Sequence, residues 1–348
     1  MSSITLDNVK KAFDEEVVIP NLNLKIEDGS FTVLVGPSGC GKSTILRMIA
    51  GLETPSSGQI FIDDEDVVNL SPGKRGIAMV FQNYALYPTM TVKQNIEFGL
   101  SNQKIVRAER ERRIKEVCEI VGLEPYLKRK PGQLSGGQRQ RVAVARAMVK
   151  QPKVFLMDEP LSNLDAKLRA AMRVELIQLH KRLRATFIYV THDQVEAMSM
   201  GDNIVLINKG IIMQRSSPRD MYNDPQNVFT AQFIGAPPMN IVRNLLPSDV
   251  SLGFRPEKIV INPSTSNDME ILCIKGHIMT KEHLGSEINY SISTQYGQIM
   301  AKLEQDVSDD SDVIIGVRYD NLYIFDQDDN RTELNSYIKK ILAEISVR

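Results

Sequence analysis

Gly36-Pro37-Ser38-Gly39-Cys40-Gly41-Lys42-Ser43-Thr44 is the stretch from which the rest of the chain can be read. The apolar run Phe31-Thr32-Val33-Leu34-Val35 leads into it and Ile45-Leu46-Arg47-Met48-Ile49-Ala50 leads out, so the pattern is strand, glycine-rich loop, helix. Glycines at 36, 39 and 41 let the backbone turn with its N–H groups pointing inward, which makes an anion nest at the positive end of the following helix. A triphosphate fits such a nest. Lys42 adds a charge that reaches the β- and γ-phosphates, and the Ser43 hydroxyl is placed to complete the shell of a bridging Mg²⁺. The loop therefore predicts a nucleotide site in an α/β domain.

Working outward, Val154-Phe155-Leu156-Met157 is an apolar strand that ends in Asp158-Glu159. Beside a phosphate loop, that pair supplies Asp158 to the Mg²⁺ shell and Glu159 toward the attacking water. Ile77-Ala78-Met79-Val80-Phe81 runs into Gln82, and Phe187-Ile188-Tyr189-Val190 runs into Thr191-His192-Asp193. Strands of an open α/β sheet bind ligands at their carboxyl ends, so the Gln82 amide can meet Mg²⁺ or a water there, and the His192 imidazole a γ-phosphate oxygen. Pro131-Gly132 breaks a mainly helical region, about 88–150, and Leu134-Ser135-Gly136-Gly137-Gln138 opens a helix expected over Arg139–Val149, a second anion-seeking helix end. The run 107–113 reads as a solvated face with i,i+4 ion pairs. Upstream, Ile4–Val9, Val17–Ile19 and Leu22–Ile26 read as short antiparallel strands. Phe13 falls in a polar loop between the first two, where it can anchor a core or stack on an adenine ring.

The 348 residues are enough for two domains. No run approaches the roughly 18 apolar residues of a membrane span. Met1-Ser2-Ser3-Ile4-Thr5 does not resemble a signal peptide, and three cysteines are too few for a disulfide framework, which together predict a cytoplasmic protein. The turn-rich Gly235-Ala236-Pro237-Pro238-Met239-Asn240 is the expected boundary between 1–235 and 236–348. Beyond it come short runs at Ile259–Ile261, Ile271–Ile274, Ile288–Ile292, Gln298–Ala301, Val313–Val317 and Leu322–Phe325, the pattern of a small β-barrel. An amphipathic helix is expected over about Glu333–Arg348. Net charge is −1, and from Ile241 onward 11 basic residues face 17 acidic ones. That balance argues against nucleic acid as a partner.

Taken together, GPSGCGKST at 36–44, Gln82, LSGGQ at 134–138, VFLMDEP at 154–160, SNLD at 162–165 and His192 resemble the ATP-binding cassette (ABC) ATPases, with LSGGQ separating this family from other P-loop enzymes. Within the family, YVTHDQVEAM at 189–198, GAPPMN at 235–240 and GFRPE at 253–257 are similar to the ATPase subunits of bacterial maltose and multiple-sugar importers. The resemblance spans nearly the whole chain. It implies an α/β P-loop ABC ATPase core, with a parallel sheet, an antiparallel β subdomain and a helical subdomain, followed by a small OB-like β-barrel regulatory domain. It implies ATP and Mg²⁺ as ligands, with Gly36, Pro37, Ser38, Gly39, Cys40, Gly41, Lys42, Ser43 and Thr44 around the phosphates and Phe13 on the adenine. Asp158, Ser43 and Gln82 would serve the metal, Glu159 would be the general base, and His192 the switch. Ser135, Gly136, Gly137 and Gln138 would reach the nucleotide held by a second copy. The partners implied are that homodimer mate, membrane-spanning permease subunits contacted through about Tyr84–Asn95, and indirectly an extracytoplasmic solute-binding protein. The place implied is the cytoplasmic face of the membrane, as a peripheral subunit. A carbohydrate is the expected solute, with glycerol phosphate or polyamine importers and a soluble DNA-repair ATPase as alternatives; repair ATPases carry a long coiled coil that the short Thr44–Leu134 interval lacks. One departure is Ser216-Ser217-Pro218, where the family usually has Gly-Thr-Pro.

Overall fold

A computed structural model describes residues 2–102, 105–243, 245–246, 250–263, 270–308 and 311–346. The chain divides into two compact units, one up to Arg219 and one from Asp220 onward.

The first unit opens with two long strands, β1 (Ile4–Phe13) and β2 (Glu16–Ile26), paired antiparallel from Ile4–Ile26 to Phe13–Glu16. Phe13 is thus the last residue of a strand rather than part of a loop, because the pairing continues past polar Asn8 and Lys10. β3 (Phe31–Val35) carries the glycine loop into α1 (Lys42–Ala50). β4 (Ser57–Ile62) and the short β5 (Glu65–Asp66) complete an antiparallel sheet of order β2-β1-β4-β5. β6 (Ile77–Val80) is next, then α2 (Val92–Asn102), α3 (Arg107–Val121) and α4 (Gly136–Met148). The charged start of α3 is solvated, with Arg107–Glu111 and Arg113–Glu109 paired at i,i+4.

β7 (Val154–Asp158), α5 (Ala166–Leu183), β8 (Thr186–Thr191), α6 (Gln194–Met200), β9 (Asn203–Asn208) and β10 (Ile211–Ser216) finish the unit. Its six-stranded sheet has the order β10-β9-β3-β8-β7-β6, parallel except for β10. β3, β7 and β8 are buried at every position, which is why they read as unbroken apolar runs rather than alternating ones. Ile45, Leu46, Met48 and Ile49 of α1 share one core with Leu6, Ile19 and Ile60 of the antiparallel sheet and Leu156, Ile188 and Val205 of the parallel one. The phosphate-loop helix is apolar on nearly all sides because both sheets enclose it.

The second unit begins earlier than the Gly235–Asn240 turn. α7 (Pro218–Asn223) crosses the division, and α8 (Val228–Phe233) comes after it. Arg255, 1% exposed, donates to the carbonyls of Tyr222 at 2.7 Å and Ala231 at 3.0 Å, and also to that of Ile234. Val228 N bonds Asp329 O, and Arg331 N bonds Gln226 O. Those bonds, invisible to a reading of turn signals, tie 220–234 to the C-terminal strands.

β11 (Asn240–Val242), β12 (Ser251–Phe254), β13 (Ile259–Ile261), β14 (Ile271–His283), β15 (Ile288–Thr294), β16 (Gly297–Leu303), β17 (Asp312–Arg318), β18 (Leu322–Phe325) and β19 (Arg331–Thr332) form the two antiparallel sheets of this unit. Their orders are β11-β12-β18-β19 and β13-β17-β14-β15-β16. They curl around one core that includes Leu252, Phe254, Ile274, Tyr290, Ile315 and Ile324, the half-barrel arrangement of an OB-like domain. α9 (Ser336–Ile345), capped by Asn335 through Ile338 N, lays Ile338 and Leu342 into that core. It starts after Glu333, since Asn335 holds the cap, and the expected end at Arg348 lies outside the described residues.

Candidate functional site

Adjacent strands bring the predicted residues side by side. In the order β3-β8-β7-β6, the carboxyl ends carry, in turn, the glycine loop, His192, Asp158 with Glu159, and Gln82.

The loop is shaped by close approach. Gly36 sits at φ +156°, where a Cβ would lie 2.1 Å from the Ile207 carbonyl oxygen, and Gly41 at φ +102° would press one to 2.5 Å from Ile19 Cδ1. Lys42 is 5% exposed, and its Nζ donates to the carbonyls of Gly36 at 2.9 Å and Pro37 at 2.8 Å, with Cys40 Sγ at 3.7 Å. Cys40 is buried under the loop, so its thiol is a packing group first. Ser43 Oγ donates to Asp158 Oδ1 at 2.7 Å, bringing two hard oxygen donors together beside the phosphate nest.

Glu159 follows Asp158 with φ 45° and with its N–H held by Val190 O at 3.0 Å. Two neighbours converge on its Oε2: His192 Nδ1 at 3.1 Å and Gln82 Nε2 at 3.4 Å. Gln82 Nε2 also reaches Ser162 Oγ at 3.3 Å, and Ser162 Oγ donates to the Glu159 carbonyl at 2.9 Å. The described contacts therefore set the Gln82 amide on the Glu159 side of the site. The Ser162–Asp165 loop, to which the sequence assigns a motif but no role, proves to brace this corner. Besides Ser162, its Asn163 donates to the Gln82 carbonyl at 3.0 Å, and Asp165 caps α5 through Leu168 N.

Ser135 is the N-cap of α4, closing a capping box in which its Oγ accepts from Gln138 N and Gln138 Oε1 accepts from Ser135 N. The helix consequently begins at Gly136, ahead of the expected Arg139. Both first-turn positions suit glycine, since a Cβ would sit 2.8 Å from Leu164 Cδ2 at Gly136 and 2.9 Å from Leu168 Cδ1 at Gly137. Phe13 is 42% exposed, with Lys11 Nζ 4.4 Å from its ring centroid.

Beyond Gln82, Tyr84 and Ala85 hold left-handed backbone at φ 62° and 46°, and Arg146 of α4 donates to both carbonyls, at 2.8 Å and 2.6 Å. Tyr84 is buried, and that burial raises its phenol pKa although Arg139 opposes the shift. Tyr87, by contrast, is exposed and its ring lies 4.7 Å from that of Phe98. Among the described residues no helix is long and apolar enough to cross a membrane.

The family model for ABC transporters matches residues 19–162. The chain is 46% identical, over 86% of its length and 94% of the relative's, to the sn-glycerol-3-phosphate import ATP-binding protein of Bartonella bacilliformis. It is 50% identical, over 80% of its length and 76% of the relative's, to the trehalose/maltose import ATP-binding protein of Thermococcus litoralis. A dimeric ATP-binding cassette structure in a post-hydrolysis state bound to ADP and phosphate superposes with a TM-score of 0.55 at 33% identity, covering 62% of this chain and 99% of that one. With the phosphate loop, the paired carboxylates and the LSGGQ helix all in place, the chain belongs to the ABC transporter family and is one of its ATP-binding ATPases.

Proposed function

We propose that this ATPase energises a bacterial importer, working as a pair of identical chains with ATP between them on the cytoplasmic face of the membrane. Membrane-spanning permease subunits, fed by an extracytoplasmic solute-binding protein, would complete the machine. A carbohydrate is the solute we favour, in line with the trehalose/maltose relative; glycerol phosphate is the second reading, in line with the Bartonella one, and a polyamine the third.

The observation that carries the proposal is the pair of carboxylates, Asp158 joined to Ser43 and Glu159 joined to His192 and Gln82, beside one phosphate nest. Ser43 Oγ and Asp158 Oδ1, 2.7 Å apart, are the hard oxygen donors that Mg²⁺ takes, so the donor set fits. When bound, Mg²⁺ neutralises charge building on the β- and γ-phosphate oxygens. Lys42, now on the carbonyls of Gly36 and Pro37, would turn its ammonium to those oxygens, while the loop N–H groups bind the rest. Glu159 takes the proton of a water as that water's oxygen bonds to the γ-phosphorus. The bond from the γ-phosphorus to the bridging oxygen breaks, leaving ADP and phosphate. His192 and Gln82 orient Glu159 and the water. The α4 N-terminus, Ser135 to Gln138, would face the triphosphate of the other copy, and Phe13 would stack on the adenine.

Glu159→Gln tests the proposal. Turnover should fall by about 10²-fold or more, the scale of a lost general base, while ATP binding persists and an ATP-bound dimer accumulates on sizing. Turnover within a few-fold of wild type would remove Glu159 from the role.

A further inference from the structure

Behind His192 lies a buried carboxylate to which hydrolysis assigns no step. Glu196, 3% exposed, accepts from Tyr189 OH at 2.8 Å and from Thr191 Oγ1 at 2.7 Å. Arg169 Nε stands 3.9 Å from its other oxygen. The same guanidinium donates through Nη1 to Asp193 Oδ2 at 3.4 Å and through Nη2 to the Leu164 carbonyl at 3.1 Å. Asp193 N in turn donates to Thr191 Oγ1 at 3.0 Å, and Asp193 Oδ1 caps α6 through Val195 N and Glu196 N.

Thr191 and Asp193 are the residues on either side of His192. Asp193 is therefore held directly by a single arginine whose remaining arm holds the Ser162–Asp165 loop, while Thr191 bonds Glu196, which faces that arginine's Nε as an ion pair at 3.9 Å, too long for a hydrogen bond. That loop touches Glu159 and Gln82 through Ser162 and packs Leu164 against Gly136. A buried carboxylate is costly unless paired and hydrogen-bonded, and apolar side chains would fill this space without that cost. What the arginine adds is direction, because the rigid planar fork of a guanidinium holds the Asp193 carboxylate and the Leu164 carbonyl at a set angle to each other, whereas the three donors of an ammonium turn about one point.

We propose that Arg169 is a positioning residue for ATP hydrolysis: it aims His192 at Glu159 and locks that aim to the Ser162–Asp165 loop, so the two loops move as one. This rests on the reading of Glu159 and His192 as the hydrolytic pair. Arg169 touches neither phosphate nor water in this role. It acts on kcat through His192 and leaves the phosphate nest, and so ATP affinity, alone.

The test compares Arg169→Gln and Arg169→Lys, each alone and combined with His192→Ala, using the full chain. For Arg169→Gln we expect kcat to fall about tenfold, the scale of a slightly misplaced group, with ATP KM within about twofold of wild type. Arg169→Lys should recover part of the loss, since it keeps the charge but spans fewer acceptors. In the His192→Ala background the Arg169 effect should vanish, because the two act on the same step. Should Arg169→Gln fail to fold, the doubly neutral Arg169→Gln/Glu196→Gln chain carries the same cycle without an orphaned buried charge. Losses that multiply independently in the two backgrounds, or a wild-type kcat for Arg169→Gln beside a crippled His192→Ala, overturn the positioning role alone. Wild-type turnover in His192→Ala overturns the hydrolytic reading of His192, and the positioning role with it.

Discussion

At the scale of single residues, the phosphate nest distinguishes two glycines that a motif treats alike. Gly36 has the Ile207 carbonyl oxygen 2.1 Å from where a Cβ would go, and backbone cannot step aside. Gly39, at φ +77°, has no atom within 4 Å of that point, so a side chain there meets strain but no neighbour. Gly36→Ala should therefore cost more than about 3 kcal/mol and abolish ATP binding, whereas Gly39→Ala should cost about 1 kcal/mol and bind ATP weakly. Thermal unfolding and nucleotide titration of the two variants check this, and equal losses would mean that loop conformation rather than the contact with β9 governs the site. The same scale separates what the sequence discloses from what it hides. Lys42 and Ser43 announce themselves through the glycine loop that precedes them, and Asp158, Glu159 and His192 because each stands at or just past the end of an apolar run, where strand order can bring it to one edge. Arg169 gives no such sign: its partners Leu164, Asp193 and Glu196 meet only after α5 has packed beside the β8–α6 turn.

At the scale of elements, α4 and α9 illustrate local code and tertiary override. Sequence alone puts the α4 start late because Gly136 and Gly137 are poor helix formers, yet the Ser135–Gln138 capping box draws both into the first turn, where Leu164 and Leu168 crowd the place of a Cβ. β14 is legible only to Ile274 because Lys275–His283 is mostly polar. Pairing with β17 on one side and β15 on the other nevertheless carries the strand to His283. β11 and β12 are too short to signal themselves, and pairing with β11 on one side and β18 on the other makes a strand of Ser251–Phe254. α9, by contrast, is legible from its apolar stripe alone. Leu342, 0% exposed in the half-barrel core, makes a direct test of that packing. Leu342→Ala should cost about 2–5 kcal/mol in the C-terminal unit, read by its denaturant unfolding, while ATP turnover stays unchanged. A loss below about 0.5 kcal/mol would show the helix to be loosely docked.

At the scale of the whole molecule, two helix ends seek anions, at Gly41 and at Gly136, and the proposed pair sets one of each on every triphosphate. ATP then acts as an interfacial ligand, so specific activity should climb with protein concentration and ATP should shift the monomer–dimer balance. Mixed Lys42→Ala and Ser135→Arg chains should yield at most one competent site per pair, and a concentration-independent specific activity would refute the shared site while leaving the nucleotide assignment intact. The contacts at Glu159 bear on economy in the cell. Its Oε2 has His192 Nδ1 at 3.1 Å and Gln82 Nε2 at 3.4 Å as neighbours, so this one carboxylate oxygen is tied to the ends of two separate strands. On the proposed reading of Glu159 as the base, a fault at either strand end would misdirect that one oxygen, so fuel is burned only by copies in which both are correctly set.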